Sequence, residues 1–184
     1  MRKHTLAVLV ENSPGVLARV ASLFSRRAYN IDSLAVGPTE NPDISRMTIV
    51  LNLDGHVLEQ VLAQVYKLVN VIAVSEMPSE QSVHRELLLV KVIAHEREKT
   101  VAIVEQFGAK IVDEDSEFIT IEATGESVQI EALLDSLKPI GIKELVQSGL
   151  VALERGSAAL SDRTLSAQGI STLHEIGTQA DYQN

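Results

Sequence analysis

The chain has 184 residues, 45% of them apolar, with no cysteine and a formal net charge of −9, and its pI is near 5.0. The missing cysteines exclude a disulfide framework, thiol catalysis and cysteine-held zinc, and the acidity argues against a nucleic-acid surface because phosphates would be repelled. No run approaches the ~20 apolar residues of a membrane span, and Glu11 cuts the first apolar run well short of a signal-peptide core, so a soluble cytoplasmic protein is expected.

The apolar run Leu6 to Val10 reads as a strand that stops at Glu11 and Asn12. Val16, Leu17, Val20, Phe24 and Ala28 follow at helical spacing. Between them, Ser13 is expected as the N-cap and Pro14 at the first helical position, where its missing N–H costs nothing. Arg26 and Arg27 then fall in the last turn, where cations suit exposed carbonyls. Gly15 falls in the first turn, although glycine weakens helices by roughly 1 kcal/mol relative to alanine. Two reasons suggest themselves: the missing Cβ lets an anion reach the backbone N–H groups, or it makes room for a neighbouring strand.

Ile31, Leu34 and Val36 mark a second strand, followed by a turn cluster at Gly37, Pro38, Asn41, Pro42 and Asp43. Ile44 to Leu53 alternates, with Met47, Ile49 and Leu51 on one face and Arg46, Thr48 and Asn52 on the other, as in a strand with one buried face. Val57 to Leu68 has amphipathic helical spacing, and Val69 to Glu76 is a β-branched strand. The order β-α-β-β-α-β matches a ferredoxin-like sandwich. Residues 78–85, with Pro78 and two serines, are expected to be a linker.

The same order then repeats: a strand at Leu87 to Ala94, a helix from Thr100 to Phe107 stopped by Gly108, and a hairpin of Ala109 to Val112 with Phe118 to Ala123. A helix at Val128 to Leu137, a strand at Ile142 to Ser148 and a short extended piece at Gly149 to Leu153 complete it. The expectation is α+β: two consecutive βαββαβ sandwiches with antiparallel sheets and helices on one face, over 1–77 and 86–156. Residues 157–184, rich in Ser, Ala, Gln, Gly and Thr, read as a flexible tail.

Catalytic chemistry is hard to find. His4, His56, His84, His95 and His174 share no metal-ligand spacing, and His95-Glu96-Arg97-Glu98 lacks the second histidine of a zinc helix. The run Asp113 to Glu117 lacks the glycine and alternation of a calcium loop, and no phosphate loop or nucleophile elbow is present.

The opening Leu9-x-Glu11-Asn12-x-x-Gly15-Val16-Leu17-x-Arg19-Val20 and its continuation through Tyr29-Asn30-Ile31-x-Ser33-Leu34 resemble the ACT domain of the acetolactate synthase small regulatory subunit. Ser45 to Ile49, Arg85 to Val92 and Ser148 to Gly156 carry the resemblance through residues 1 to 156. It implies a non-catalytic subunit that activates a catalytic large subunit and confers feedback inhibition by valine or another branched-chain amino acid. Thiamine diphosphate, Mg and FAD are then expected on that partner and not on this chain. The resemblance also implies a homodimer with the effector between two ACT domains. It places Asn12, Gly15 and Asn30 at the site, with Pro14, Val16 and Ile31 beside them. No nucleic acid or membrane is implied.

The residue chemistry agrees with a zwitterionic ligand. Helix-start N–H groups suit a carboxylate, the Asn12 and Asn30 amides offer donors and acceptors, and Val16 and Ile31 suit an apolar side chain. Asparagine is also common in turns for local backbone reasons. The alternatives are a free-standing amino-acid-binding regulator of another enzyme or of transcription, and a small enzyme on a ferredoxin-like scaffold. The first as a transcription factor needs a DNA-binding helix-turn-helix, and the second a catalytic constellation; neither is visible in the sequence.

Overall fold

Alternation and helical spacing are realised in a computed structural model that describes residues 2–157 and 159–161. The described residues divide into two units, residues 2–83 together with 152–157 and 159–161, and His84–Val151.

In the first unit, β1 (Arg2–Glu11) leads to α1 (Val16–Ser25), β2 (Ile31–Pro38), β3 (Ile44–Leu53), α2 (Gly55–Tyr66) and β4 (Val71–Glu76). The sheet is antiparallel in the order β2-β3-β1-β4. Leu6 lies opposite Ile49 and Val8 opposite Met47, so alternate residues of the two central strands share one face. That face and the apolar stripes of α1 and α2 form the core, in which Val20, Phe24, Val61 and Val65 are buried with Leu6, Val8, Ile49 and Leu51. Each such side chain contributes about 1.5–3 kcal/mol of burial.

The opposite face of β3 departs from expectation. Thr48 and Val50 are buried, as are Ala7 and Leu9 on β1. A strand read as half-buried is therefore covered on both sides, and Leu9 and Arg46 there line a cavity closed in part by Leu153, Glu154 and Leu160.

The second unit repeats the pattern with α3 (Arg97–Gln106), β6 (Lys110–Glu114), β7 (Phe118–Gly125), α4 (Ser127–Leu137) and β8 (Ile142–Gln147), after β5 (Ser82–Ile93). Its strands run β6-β7-β5-β8, with β9 (Val151–Glu154) also paired to β5. Leu88, Val90 and Val92 pack with Val104, Ile119, Ile121, Ile130, Leu133 and Leu137. Glu126 and Gln129 form a capping box at the start of α4, each side chain bonded to the other's backbone N–H. The expected fold class, two antiparallel βαββαβ sandwiches in series, is the one observed.

Residues 82–85, read as linker, are the first part of β5, and the turn at 79–81 is all that precedes it. Residues 152–157 and 159–161 fall in the first unit, where the Arg46 guanidinium donates to the Ala152 carbonyl at 2.9 Å. Leu160, assigned to the tail, is buried; the tail assignment at 158 and over 162–184 lies outside the described residues. No helix among the described residues is long and apolar enough to cross a membrane.

Candidate functional site

The connection from β1 to α1 is a turn whose geometry explains its sequence. The Val16 N–H points to the Ser13 carbonyl at 3.4 Å, and Gly15 has φ 85° and ψ −7°. Proline followed by a residue at positive φ is the pattern of a type II turn, with Pro14 and Gly15 in the two central positions. Gly15 is therefore the N-cap residue of α1, and Val16 begins the helix. The expectation of Ser13 as N-cap and Pro14 at the first helical position is corrected accordingly: the left-handed conformation at Gly15 delays helical dihedrals by two residues.

This also resolves why a glycine stands there. A Cβ on Gly15 would meet nothing within 4 Å, so the residue does not make room for a strand. It supplies the positive φ, and the space beside it stays open. Helix α1 starts with no side-chain cap and no acidic residue in its first turn. Its first N–H groups lack intrahelical partners, as at any helix start, and carry the positive end of the helix dipole. Arg26 and Arg27 lie just past the helix rather than in its last turn, yet they donate to the Ser22 and Leu23 carbonyls at 3.3 Å, which is the role expected of them.

The turn is anchored on two sides. The Asn12 N–H donates to the Asp43 carbonyl at 2.7 Å, and the Asn12 side-chain amide donates to the Pro42 carbonyl at 2.8 Å. The Asn70 amide bonds Glu11 while its oxygen accepts from Arg19 at 2.6 Å, tying the first turns of α1 to the approach to β4. Glu11 and Arg19 stand in the recognised motif but carried no expected role. Asn70 and the Pro42-Asp43 carbonyls had no signal in sequence, because they reach the turn from thirty or more residues away.

Asn30 and Ile31 sit elsewhere. Asn30 is exposed and its amide donates to Asp32 at 2.6 Å; Ile31 packs at the edge of the core. On the shared neighbour β3, Glu11 pairs with Ile44 whereas Ile31 pairs with Leu51. Seven residues of extended strand are about 23 Å. One chain therefore brings Asn12, Pro14, Gly15 and Val16 together at one end of the sheet and leaves Asn30 and Ile31 at the other. Pro14 and Gly15 are exposed and Val16 is buried beneath them. Among the described residues, no group of three or more His, Asp or Glu side chains is placed to hold a metal ion.

The comparisons bear on this arrangement. Residues 6–73 match the family described as AHAS small subunit-like ACT domain, and residues 85–156 match the small subunit of acetolactate synthase. The acetolactate synthase small subunit of Mycobacterium leprae is 54% identical over 155 residues, covering 83% of this chain and 92% of the relative. The chain belongs to the acetolactate synthase small-subunit family. The corresponding protein of Mycolicibacterium smegmatis is also 54% identical, over 83% of this chain and 91% of its own. The crystal structure of the acetolactate synthase small subunit from Thermotoga maritima superposes with a TM-score of 0.80 at 37% identity, covering 86% of this chain and all of that one. This chain is accordingly a regulatory small subunit of the acetolactate synthase type.

Proposed function

We propose that this subunit activates its thiamine-diphosphate-dependent catalytic partner in the cytoplasm and confers feedback inhibition by valine or another branched-chain amino acid bound where two copies meet. The observation that carries the reading is the type II turn at Gly15, which leaves an uncapped helix start beside open space. A ligand carboxylate there gains N–H donors and a favourable dipole.

The separation of the two halves of the site supports sharing between chains. β2 is an edge strand, eight residues long. Pairing it antiparallel with a second β2 about a two-fold axis covers that edge. The same operation carries Asn30 and Ile31 of one chain toward the end of the sheet where its partner holds Asn12 and Gly15. The Asn30 amide would meet the polar groups of the amino acid, and Ile31 and Val16 its side chain. Catalysis, with thiamine diphosphate, Mg and FAD, stays on the large subunit in this reading.

The test is acetolactate formation by the large subunit with and without this chain, each with and without valine, leucine or isoleucine. Addition of the chain is expected to raise the rate, and at least one of the three amino acids to lower it. A rate indifferent to the chain would overturn the reading.

A further inference from the structure

Asn12, Gly15 and Val16 account for one wall of the proposed effector site, but the loop on which Asn12 hangs has a second side. That side faces residues that return from the far end of the sequence.

Residues 39–43 connect β2 to β3, and Pro42 and Asp43 in this connection hold both the side chain and the backbone N–H of Asn12. Thr39, Glu40, Ile44 and Arg46 in and next to the same connection line a cavity of about 410 Å³. Its opposite wall is formed by Leu153, Glu154, Gly156, Leu160 and neighbouring residues of the C-terminal segment. That segment is fastened at three points. The Arg46 guanidinium donates to the Ala152 carbonyl at 2.9 Å, the Arg155 N–H donates to the Gln81 carbonyl at 2.9 Å, and Leu160 is 4% exposed. Burial lowers the Arg46 pKa, while Glu154 and then Glu40 act in the opposite direction, so the segment brings one of the carboxylates that stabilise the guanidinium charge.

We propose that the described residues of the C-terminal segment, 152–157 and 159–161, form a strap that positions the effector turn through Arg46 and the cavity wall it shares with the β2–β3 connection, with Arg46 and Leu160 as positioning residues. The proposal rests on the effector reading above. Thr39 and Glu40 of the loop line one cavity with the strap, Arg46 just beyond the loop holds the strap's Ala152 carbonyl, and the Pro42 and Asp43 carbonyls fix Asn12.

The test uses the full chain, amide hydrogen exchange and calorimetry with valine, leucine and isoleucine. Leu160→Glu puts a charge where the strap is buried, and Leu160→Met is the conservative control. In Leu160→Glu the Asn12 amide is expected to exchange at least tenfold faster, while the Val90 and Ile121 amides of the second unit keep their wild-type rates. Affinity for the amino acid that wild type binds is expected to fall about tenfold, and Leu160→Met to behave as wild type. Should Leu160→Glu fail to fold, Glu154→Gln loosens the strap from its charged end with the same expected pattern. Faster exchange at 153–161 with an unchanged Asn12 amide would overturn the strap. Faster exchange at Asn12 in Leu160→Glu, together with a wild type that binds none of the three amino acids, would keep the strap and overturn the effector reading.

Discussion

Ala28 has φ 55°, in the left-handed region that side chains avoid. It sits where a Schellman closure ends α1: the Tyr29 N–H reaches the Phe24 carbonyl at 3.1 Å and the Ala28 N–H the Ser25 carbonyl at 3.0 Å. Glycine is the residue this position favours, so Ala28→Gly is expected to raise stability by about 1 kcal/mol in urea denaturation. Gly15 is the converse. Its φ of 85° makes Gly15→Ala cost about 1–2 kcal/mol, although nothing stands within 4 Å of the added methyl. Gly15→Asp adds a carboxylate beside the helix start, where it competes with the ligand's own; in calorimetry the branched-chain amino acid should lose its affinity. Unchanged binding by that variant would move the site elsewhere.

Among the elements, α1 and the β6–β7 hairpin show two ways of being held. Phe24, fully buried on the apolar face of α1, joins that helix to the sheet, and Phe24→Ala should cost about 3–5 kcal/mol by removing its burial and leaving a cavity. The hairpin tip relies on a local polar contact. The Asp115 carboxylate accepts the backbone N–H groups of Glu117 at 2.7 Å and Phe118 at 2.8 Å. These donors hold its pKa below the usual aspartate value. A depressed folded pKa means stability that is present above the unfolded value and lost as pH falls through the folded one. Acidification should therefore loosen the hairpin only below the normal aspartate range. A nuclear magnetic resonance titration should place the Asp115 midpoint below that of an unstructured aspartate, and Asp115→Asn should abolish this step.

For the whole molecule, the decisive geometry is the distance between Gly15 and Asn30. Because β3 separates their levels by seven residues, a site using both must draw them from two chains. Gly15→Asp and Asn30→Ala homodimers are each expected to lose effector binding. A mixed dimer contains one site with both substitutions and one with neither, so mixing the two variants should restore up to half a site per chain. Failure of such mixed dimers to bind, once their formation is verified by mass spectrometry, would show that one chain supplies the whole site. Ligand shared in this way links occupancy to the arrangement of the subunits, and an effector that prefers one arrangement shifts the enzyme toward it.

Much of this was legible in residues alone. Alternation over Ile44 to Leu53 marks β3 to its exact ends, and helical spacing from Val57 marks α2, because each element must bury one face of itself and that need is local. The long motif around Asn12 and Gly15 likewise carries the family. Tertiary structure alone decided three further points. Gly15 caps the helix because Pro14 and Gly15 together make a type II turn; Asn12 and Asn30 stand at opposite ends of one sheet because strand register sets their levels; and residues 152–157 and 159–161 return to the first unit. In each case the cause is a partner far off in sequence or a backbone dihedral, and neither leaves a periodic trace in composition or spacing.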